Sequence, residues 1–361
     1  MKFILLSTED LLLSSGFPQG IVKKHNAFPD CVEFHNKTYL AFRSAPYHQP
    51  NNESTIIIVS SVDGSKWSLE KIFAVKDLDV RDPKFIVYKG ALHLYFGLVK
   101  PNKYGKHSIG ISHTILLENN TWSESQQVYK NGYLHARIRV LNDILYMCIY
   151  KWNTINPFTS ESRIVISNDG ENWSENTPYG KLIQEGTEAD CIITENQELL
   201  WIIRHDFSKK YHVGSSIYLI NLDGIILKSK SDMRKFDSPL LFKNRSQLFV
   251  IARSQASYKG NYDIGPTLTP KILKNIINPT VYWLTKKGTS IWKVDERSLS
   301  ITKQIDLPSQ GDTGYCAIVL QLENSITIYN YSSPIDSKVA SWRKSQGLPT
   351  TILKYIIRIT P

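Results

Sequence analysis

The chain has 361 residues, 42% hydrophobic, 11% aromatic and 21% charged, a balance that supports a buried core and excludes an intrinsically disordered chain. Forty-three Lys and Arg stand against 33 Asp and Glu, a formal charge of +10. That excess favours approach to anionic partners, but it comes in short pieces such as Lys23-Lys24 and Lys209-Lys210, without the basic stripe of a nucleic-acid-binding surface.

At the N-terminus, Met1 to Leu6 reads as a strand, because Glu9 and Asp10 interrupt the apolar run and no small-residue cleavage site follows. No later stretch reaches the about 18 consecutive apolar residues of a membrane helix. The expected location is therefore cytoplasmic. Cys31, Cys148, Cys191 and Cys316 each sit in or beside an apolar run and lack zinc-ligand spacing, as suits buried thiols in a reducing compartment.

Along the chain a polar turn followed by an alternating apolar and aromatic strand recurs six times. His35-Asn36-Lys37 leads into Thr38 to Arg43, Tyr88-Lys89-Gly90 into Ala91 to Phe96, and Leu141-Asn142-Asp143 into Ile144 to Tyr150. Downstream, Glu195 to Glu198 leads into Leu199 to Arg204, Lys243 to Ser246 into Gln247 to Arg253, and Glu323-Asn324-Ser325 into Ile326 to Tyr331. Aligned on Tyr39, His93, Tyr146, Leu200, Phe249 and Ile328, the intervals are 54, 53, 54, 49 and 79 residues. That period fits a four-stranded propeller blade, with an insertion in the last interval.

The spacing predicts an all-β chain forming one domain over residues 1–361, a six-bladed β-propeller with a five-bladed ring as the alternative. Met1 to Leu6 or Thr351 to Ile359 is expected to complete a sheet. A β-sandwich would also give hairpins, but not this period. Within the long interval, residues 269–278 read as a short basic amphipathic helix, with Pro270 near its start and apolar residues at helical spacing. Its basic end near Lys271 to Lys274 is a candidate contact for a membrane surface or a partner.

Two segments share a local motif. Ser61 to Trp67 and Ser167 to Trp173 both read Ser-x-Asp-Gly-x-x-Trp, and a degraded copy runs from Ser112 to Trp122. The motif resembles the Asp-box of sialidases and related propellers. Its logic is structural: Asp accepts backbone N–H groups in the turn, Gly supplies a conformation other residues resist, and Trp packs between strands.

Further segments, in order, are similar to the bacterial sialidase-like propeller family: Asn26 to Asp30 with Tyr39 to Arg43, Asp79 to Lys84, Glu188 with Arg204, Arg253, and Leu307 to Tyr315. The resemblance spans about residues 20 to 335 and implies a sialidase-type six-bladed fold and a glycosidase that acts on an acidic sugar. It makes Tyr315 the nucleophile and Glu188 its base, a sensible pair because a neutral phenol avoids the repulsion a carboxylate nucleophile would meet at an anionic sugar. It puts Arg204 and Arg253 in two places of an arginine clamp, whose planar fork grips a carboxylate bidentately.

The family's first clamp arginine precedes the proline of the opening blade, where this chain has Ala27, so Arg43 and Arg81 are the candidate replacements. The acid/base Asp expected before the first box is also missing; His48 and Glu53 occupy that loop, and Asp30 and Asp82 stand where furanosidase-type hydrolases carry carboxylates. Asp82 joins the catalytic candidates, and Asp30 and Asp312 the substrate-binding ones. No metal or cofactor is expected, and His25, His135 and His205 read as polar rim residues. The alternatives to a glycosidase are an intracellular glycosyltransferase or glycoside phosphorylase, and a non-catalytic propeller that binds a glycan or protein.

Overall fold

The computed structural model describes the chain except residues 103–104, 130–131, 153–158, 207–213, 257–259, 263–268, 321–323, 337–340 and 361; of 102, 105–107, 271 and 320 it describes only the backbone. The described residues form six four-stranded antiparallel sheets, the blades of a six-bladed β-propeller fold. In chain order the strands are β1 (Lys2–Asp10), β2 (His25–Phe34), β3 (Lys37–Ala45), β4 (Thr55–Ser61), β5 (Ser68–Phe73), β6 (Asp79–Tyr88), β7 (Ala91–Asn102), β8 (Gly105–Ile115) and β9 (Gln126–Tyr129). They continue as β10 (Leu134–Leu141), β11 (Ile144–Trp152), β12 (Ser160–Ser167), β13 (Gln184–Glu185), β14 (Ala189–Ile193), β15 (Leu199–Arg204), β16 (Ser215–Ile220) and β17 (Ile226–Asp232). The last are β18 (Asp237–Asn244), β19 (Gln247–Gln255), β20 (Lys287–Asp295), β21 (Ser300–Leu307), β22 (Gly314–Leu320), β23 (Ser325–Ser332) and β24 (Thr351–Thr360).

Five sheets take their strands consecutively, β2 to β5, β6 to β9, β10 to β13, β14 to β17 and β18 to β21. The sixth has the order β1-β24-β23-β22, so both terminal strands enter it, where the sequence had suggested one or the other. Contacts group the chain into two compact units. The first comprises Met1–Tyr133, Pro308–Lys338 and Lys344–Pro361, and the second Leu134–Leu307 and Val339–Arg343. Each holds three of the sheets.

The reason for the hairpin repeat is local. In each sheet, the turn joining the first two strands of its consecutive run carries residues in the left-handed region: His35 and Asn36, Lys89 and Gly90, Asn142 and Asp143, Gln197, Arg245, and Asn324. Two successive left-handed residues make the turn whose twist matches that of the flanking strands. The six reference positions of the repeat accordingly fall in β3, β7, β11, β15, β19 and β23, the second strand of every run.

The two Ser-x-Asp-Gly-x-x-Trp segments adopt the same turn. Asp63 Oδ1 accepts the N–H groups of Ser65 and Lys66 at 2.8 and 2.9 Å, and Asp169 Oδ1 those of Glu171 and Asn172 at 2.9 and 2.8 Å. The backbone bonds hold the Asp63 carboxyl well below the usual carboxylate range, and the Asn172 side-chain amide, donating to Asp169 Oδ2 at 2.8 Å, does so for Asp169 together with its backbone bonds. The indoles differ. Trp67 is buried with Leu11, Phe17, Phe42 and Ile57, edge-on to Tyr329 at 6.0 Å, whereas Trp173 is half-buried and donates to Gly170 O at 3.2 Å. The backbone N–H of Trp67 donates to Gly16 O at 2.8 Å, and Gly16 lies so close to Ser65 O that an added Cβ would stand 2.0 Å from it. Trp67→Ala is expected to cost about 3 kcal/mol through the cavity it leaves. A change under about 1 kcal/mol in urea unfolding would show that the indole contributes little to the core.

The inserted helix α1 spans Lys271–Leu284 rather than 269–278, with Pro270 as its N-cap residue and Pro279 inside it. Its burial also departs from expectation. Lys274, Asn278 and Tyr282, spaced by four, are buried, while Ile272, Leu273, Ile276 and Ile277 are exposed. The Lys271 side chain, part of the expected partner contact, lies outside the described residues. A second short helix, α2, spans Trp342–Ser345.

Candidate functional site

The candidate residues share a structural device, a bulge near the start of the first strand of a run. In the first unit the register shifts between Ala27 and Asp30, between Arg81 and Lys84, and between Gly314 and Ala317. In the second it shifts between Asp237 and Leu240 and between His135 and Arg137. Phe28, Asp82, Ser238 and Tyr315 sit in four of these bulges with φ of 60°, 54°, 50° and 56°. Left-handed backbone at non-glycine residues is costly, about 1–3 kcal/mol each, and persists where the surroundings impose it. Pro29, Pro83 and Pro239 follow three of the bulged residues, where the broken ladder asks for no N–H. A bulge re-aims a side chain, so each strand turns one residue out of the regular alternation.

In the second unit, Glu188, Arg204, Asp237 and Arg253 meet. Arg253 is the ladder partner of Asp237, and Arg204 N donates to Glu188 O at 3.0 Å, so both arginines stand on the rung that opens their sheet. Arg204 Nη1 is 2.5 Å from Glu188 Oε2, its Nη2 is 2.9 Å from Asp206, and its Nε is 3.0 Å from Asp237 Oδ1. Arg253 Nη2 approaches Asp237 Oδ2 at 3.0 Å and its guanidinium lies over the Trp342 ring at 4.5 Å. Glu188 Oε2 also accepts the backbone N–H and the hydroxyl of Ser238 at 3.0 and 2.6 Å.

Two lysines complete this cluster. Lys235 pairs with Asp206 and lies 3.6 Å from Asp237, with its ammonium over Tyr282 at 4.0 Å. Lys287 donates to Tyr282 O, Thr285 O and Thr285 Oγ1 and lies over the same ring at 3.8 Å; burial, then Arg253, push it down to about 6. Tyr282, at the end of α1, donates its hydroxyl to Asp237 Oδ2. Burial opposes the charged form of Asp206, but Arg204 and Lys235 outweigh it and hold the carboxyl well below its usual range. Arg204, Lys235 and Arg253 thus stand among three carboxylates, Glu188, Asp206 and Asp237, and Lys287, lowered to about 6, adds a fourth cation only below that range.

In the first unit the same rung carries a different set. Arg43, opposite Ala27 in the ladder, is fully buried; it donates to Asp79 Oδ1 through Nε and Nη2 at 3.0 and 2.6 Å and to the carbonyls of Tyr47 and Gln49 at 3.1 and 3.2 Å. Arg81 Nε lies 3.6 Å from Asp79 and 3.8 Å from Asp82, with its guanidinium over Phe28 at 5.2 Å. Asp30 accepts Phe85 N–H at 2.7 Å and stands 4.0 Å from Lys84. The Lys84 ammonium lies over the Tyr315 ring at 5.5 Å, and that ring meets Phe28 edge-on at 4.9 Å. Asp312 is buried, with Oδ2 2.9 Å from His25 Nε2 and 2.6 Å from His48 Nδ1, and Oδ1 accepting from Tyr331 at 3.0 Å.

The structure therefore gathers Glu188, Arg204 and Arg253 in one cluster, and Arg43, Arg81 and Asp82 around Asp79 in another. Glu53 is exposed, while His48 is buried. His25, His135 and His205, read from the sequence as rim residues, are all buried. Each lies in or beside a strand near the opening rung of its sheet, where packing excludes solvent. Sequence reasoning missed Asp237, Lys235, Lys287 and Tyr282. One signal was available: Asp237-Ser238-Pro239 repeats the two-residues-then-proline pattern of Ala27-Phe28-Pro29 and Arg81-Asp82-Pro83.

His205 makes the second unit acid-sensitive. Its Nε2 lies 2.7 Å from Ser216 Oγ, and burial pushes it down to about 4. The folded chain then binds fewer protons than the unfolded one between pH about 4 and 6.5, so stability is complete above that window and falls as pH falls through it. The expected loss from His205 between pH 7 and 4.5 is about 2 kcal/mol. Urea unfolding at both pH values checks it: His205→Gln should flatten the dependence, and an unchanged slope would remove His205 as a cause.

No family model and no curated protein matches the chain. Among solved structures, a protein of unknown function from Dyadobacter fermentans DSM 18053 is 13% identical over 99% of each chain, with a TM-score of 0.68. Trypanosoma rangeli sialidase in complex with 2,3-difluorosialic acid, a covalent intermediate, is 11% identical over 98% of this chain and 58% of its own, with a TM-score of 0.65. The same sialidase in complex with sialic acid is 10% identical, with a TM-score of 0.61. The chain spans about three fifths of the length of those sialidase chains. At such identities the likeness is one of fold.

Proposed function

We propose that the chain is a glycoside hydrolase that acts on an acidic sugar, with Arg204 and Arg253 binding the anionic group and the Tyr315 and Glu188 pair supplying nucleophile and base. The observation that carries this reading is the meeting of two arginines on one buried carboxylate, Asp237. A sugar carboxylate fits that arrangement, since guanidinium forks bind it in two parallel hydrogen bonds and a buried setting strengthens each. Asp82, Arg81, Asp30 and Asp312 are further candidates for contacts to the sugar, and Asp82, held by its bulge, is the candidate acid. Arg43 is the least suited of the clamp candidates, because its N–H groups already face Asp79 and two carbonyls.

The likeness to a sialidase fold solved with sialic acid supports an acidic carbohydrate as ligand. The test is hydrolysis of a fluorogenic sialoside and of fluorogenic hexuronides by the purified chain. Release of the fluorophore from any of them supports the reading. Binding of the free acids without release replaces it with a glycan-binding propeller, a reading that the saturation of Arg204 by three carboxylates favours. Release that depends on added phosphate or a nucleotide acceptor replaces it with sugar transfer. Arg253→Lys is expected to weaken ligand binding by about 1–3 kcal/mol, because the bidentate contact becomes a single one. Unchanged affinity in calorimetry would take Arg253 out of the site.

A further inference from the structure

We infer that His25, His48 and Asp312 form a binding site for a transition-metal dication of the zinc type. The three ligand atoms, His25 Nε2, His48 Nδ1 and a carboxylate oxygen of Asp312, all lie within 4.8 Å of one another, and all three residues are buried. Nothing in the sequence spacing announces them, since His25 and Asp312 are 287 residues apart and His48 and Asp312 are 264 apart. The sheet that takes in β22 and β24 brings them to one place: Thr350, just before β24, forms a bridge with His25, and Asp312 lies two residues before the start of β22.

The geometry suits an ion. Both imidazole nitrogens converge on the same oxygen, Asp312 Oδ2, at 2.9 and 2.6 Å. A zinc ion bonded at about 2.0–2.2 Å to each of three ligands, at angles near 90–110°, holds those ligand atoms about 2.9–3.5 Å apart. Seating it opens the two nitrogen–oxygen separations by a few tenths of an ångström and brings the two imidazole nitrogens, now within 4.8 Å of each other, into the same range. The other carboxylate oxygen is turned away, accepting the Tyr331 hydroxyl at 3.0 Å, the kind of outer contact that orients a ligating carboxylate. Backbone bonds fix the frame: Asp312 N donates to Ser333 Oγ at 3.1 Å and His48 N to Gln346 O at 3.2 Å. The site is thus assembled before any ion arrives, and little ordering entropy opposes binding.

The donor set decides the class of ion. Two imidazoles and one carboxylate suit zinc, cobalt and their neighbours, whereas magnesium and calcium ask for oxygen ligands throughout. While no ion is bound, the Asp312 carboxylate keeps the His25 proton on Nε2; an ion at Nε2 moves that proton to Nδ1, which has no hydrogen-bond partner among the described residues. Three protein ligands leave a coordination position for water or for a ligand oxygen, the composition of a site that polarises what it binds. Phe28 stands edge-on to both His48 and Tyr315, at 5.5 and 4.9 Å, so the ion would lie one ring away from the candidate nucleophile. The inference does not depend on the hydrolase reading, because it rests on these three side chains alone.

The experiment uses the full chain with any histidine tag removed, stripped with a chelator and then titrated with Zn²⁺ by calorimetry and with Co²⁺ by visible absorption. One equivalent of Zn²⁺ should bind, Co²⁺ should give the intense absorption of a low-coordinate site, and Mg²⁺ and Ca²⁺ should not compete. His48→Gln should weaken Zn²⁺ binding by at least about 100-fold with the far-UV circular dichroism of the parent chain. Asp312→Asn should do the same; should it fail to fold, His25→Gln takes its place. Binding below one equivalent, equal competition by Mg²⁺, or full Zn²⁺ affinity in His48→Gln would each overturn the site and leave a hydrogen-bonded trio.

Discussion

Asp237→Ala is expected to cost about 4 kcal/mol of folding stability, the largest loss from any single side chain of the second unit's polar cluster. Asp237 is fully buried and serves four groups at once, Arg204, Arg253, Lys235 and the Tyr282 hydroxyl. Taking charges out of water costs several kcal/mol per ion, and the cluster is tolerable only because each buried cation has a carboxylate within reach. Removing the shared partner leaves Arg253 without its ion pair at 3.0 Å and exposes Arg204 and Lys235 to mutual repulsion that Asp206 and Glu188 offset only in part. It also removes the acceptor that draws Tyr282, and with it the end of α1, into the unit.

The measurement is urea unfolding of Asp237→Ala beside Lys303→Ala, whose ion pair with Asp306 is exposed and should change stability by less than about 1 kcal/mol. Equal effects of the two substitutions would mean that the buried network carries no more than a surface pair. Asp237→Asn should fall between them, since an amide keeps one acceptor oxygen and the shape but not the charge.

What the sequence disclosed was local. The blade period could be read because each hairpin is written in adjacent polar residues, such as His35-Asn36 and Lys89-Gly90, which the structure shows in left-handed conformations. The start of α1 was legible in Pro270 for the same reason. Its end was not: the helix runs on to Leu284, and Tyr282 is held by Asp237, a contact 45 residues away in sequence. The identical motif around Trp67 and Trp173 gave identical turns but unequal burial of the indole, because the turn is fixed by Asp and Gly while burial depends on what packs above it.

The candidate site divides along the same line. Arg204 and Arg253 were visible as charges that end apolar strands, an arrangement that needs a reason. Lys235, Asp237 and Lys287 were not visible, since each looks like an ordinary surface residue until the strand register places it. The bulges explain why. A one-residue slip in β18 turns Ser238 and Asp237 out of the alternation that a sequence pattern presumes, and the same holds at Arg81 and Asp82 in β6. His25, His48 and Asp312 carry the lesson furthest, because three residues with no shared spacing meet on one oxygen.

Glu188→Gln is the substitution with the largest expected effect on activity. On the proposed reading, Glu188 takes the proton of the attacking phenol, and an amide cannot; positioned general bases contribute about 10²–10⁴-fold, so kcat should fall by about 10³-fold. Two features of the site keep the test clean. Gln has the same length and retains an oxygen for the N–H and hydroxyl of Ser238, which Glu188 accepts at 3.0 and 2.6 Å, so the bulge in β18 keeps its support. Arg204 keeps Asp206 and Asp237 after losing Glu188, so the clamp is not left as a lone buried charge. KM should therefore change by less than about tenfold, and the acid limb of the kcat/KM profile, which reports the free base, should disappear. A purely structural Glu188 would give the opposite pattern: a lower unfolding midpoint, a raised KM and an unaltered pH profile. That outcome would remove Glu188 from the chemistry and leave the phenol of Tyr315 without its proposed base.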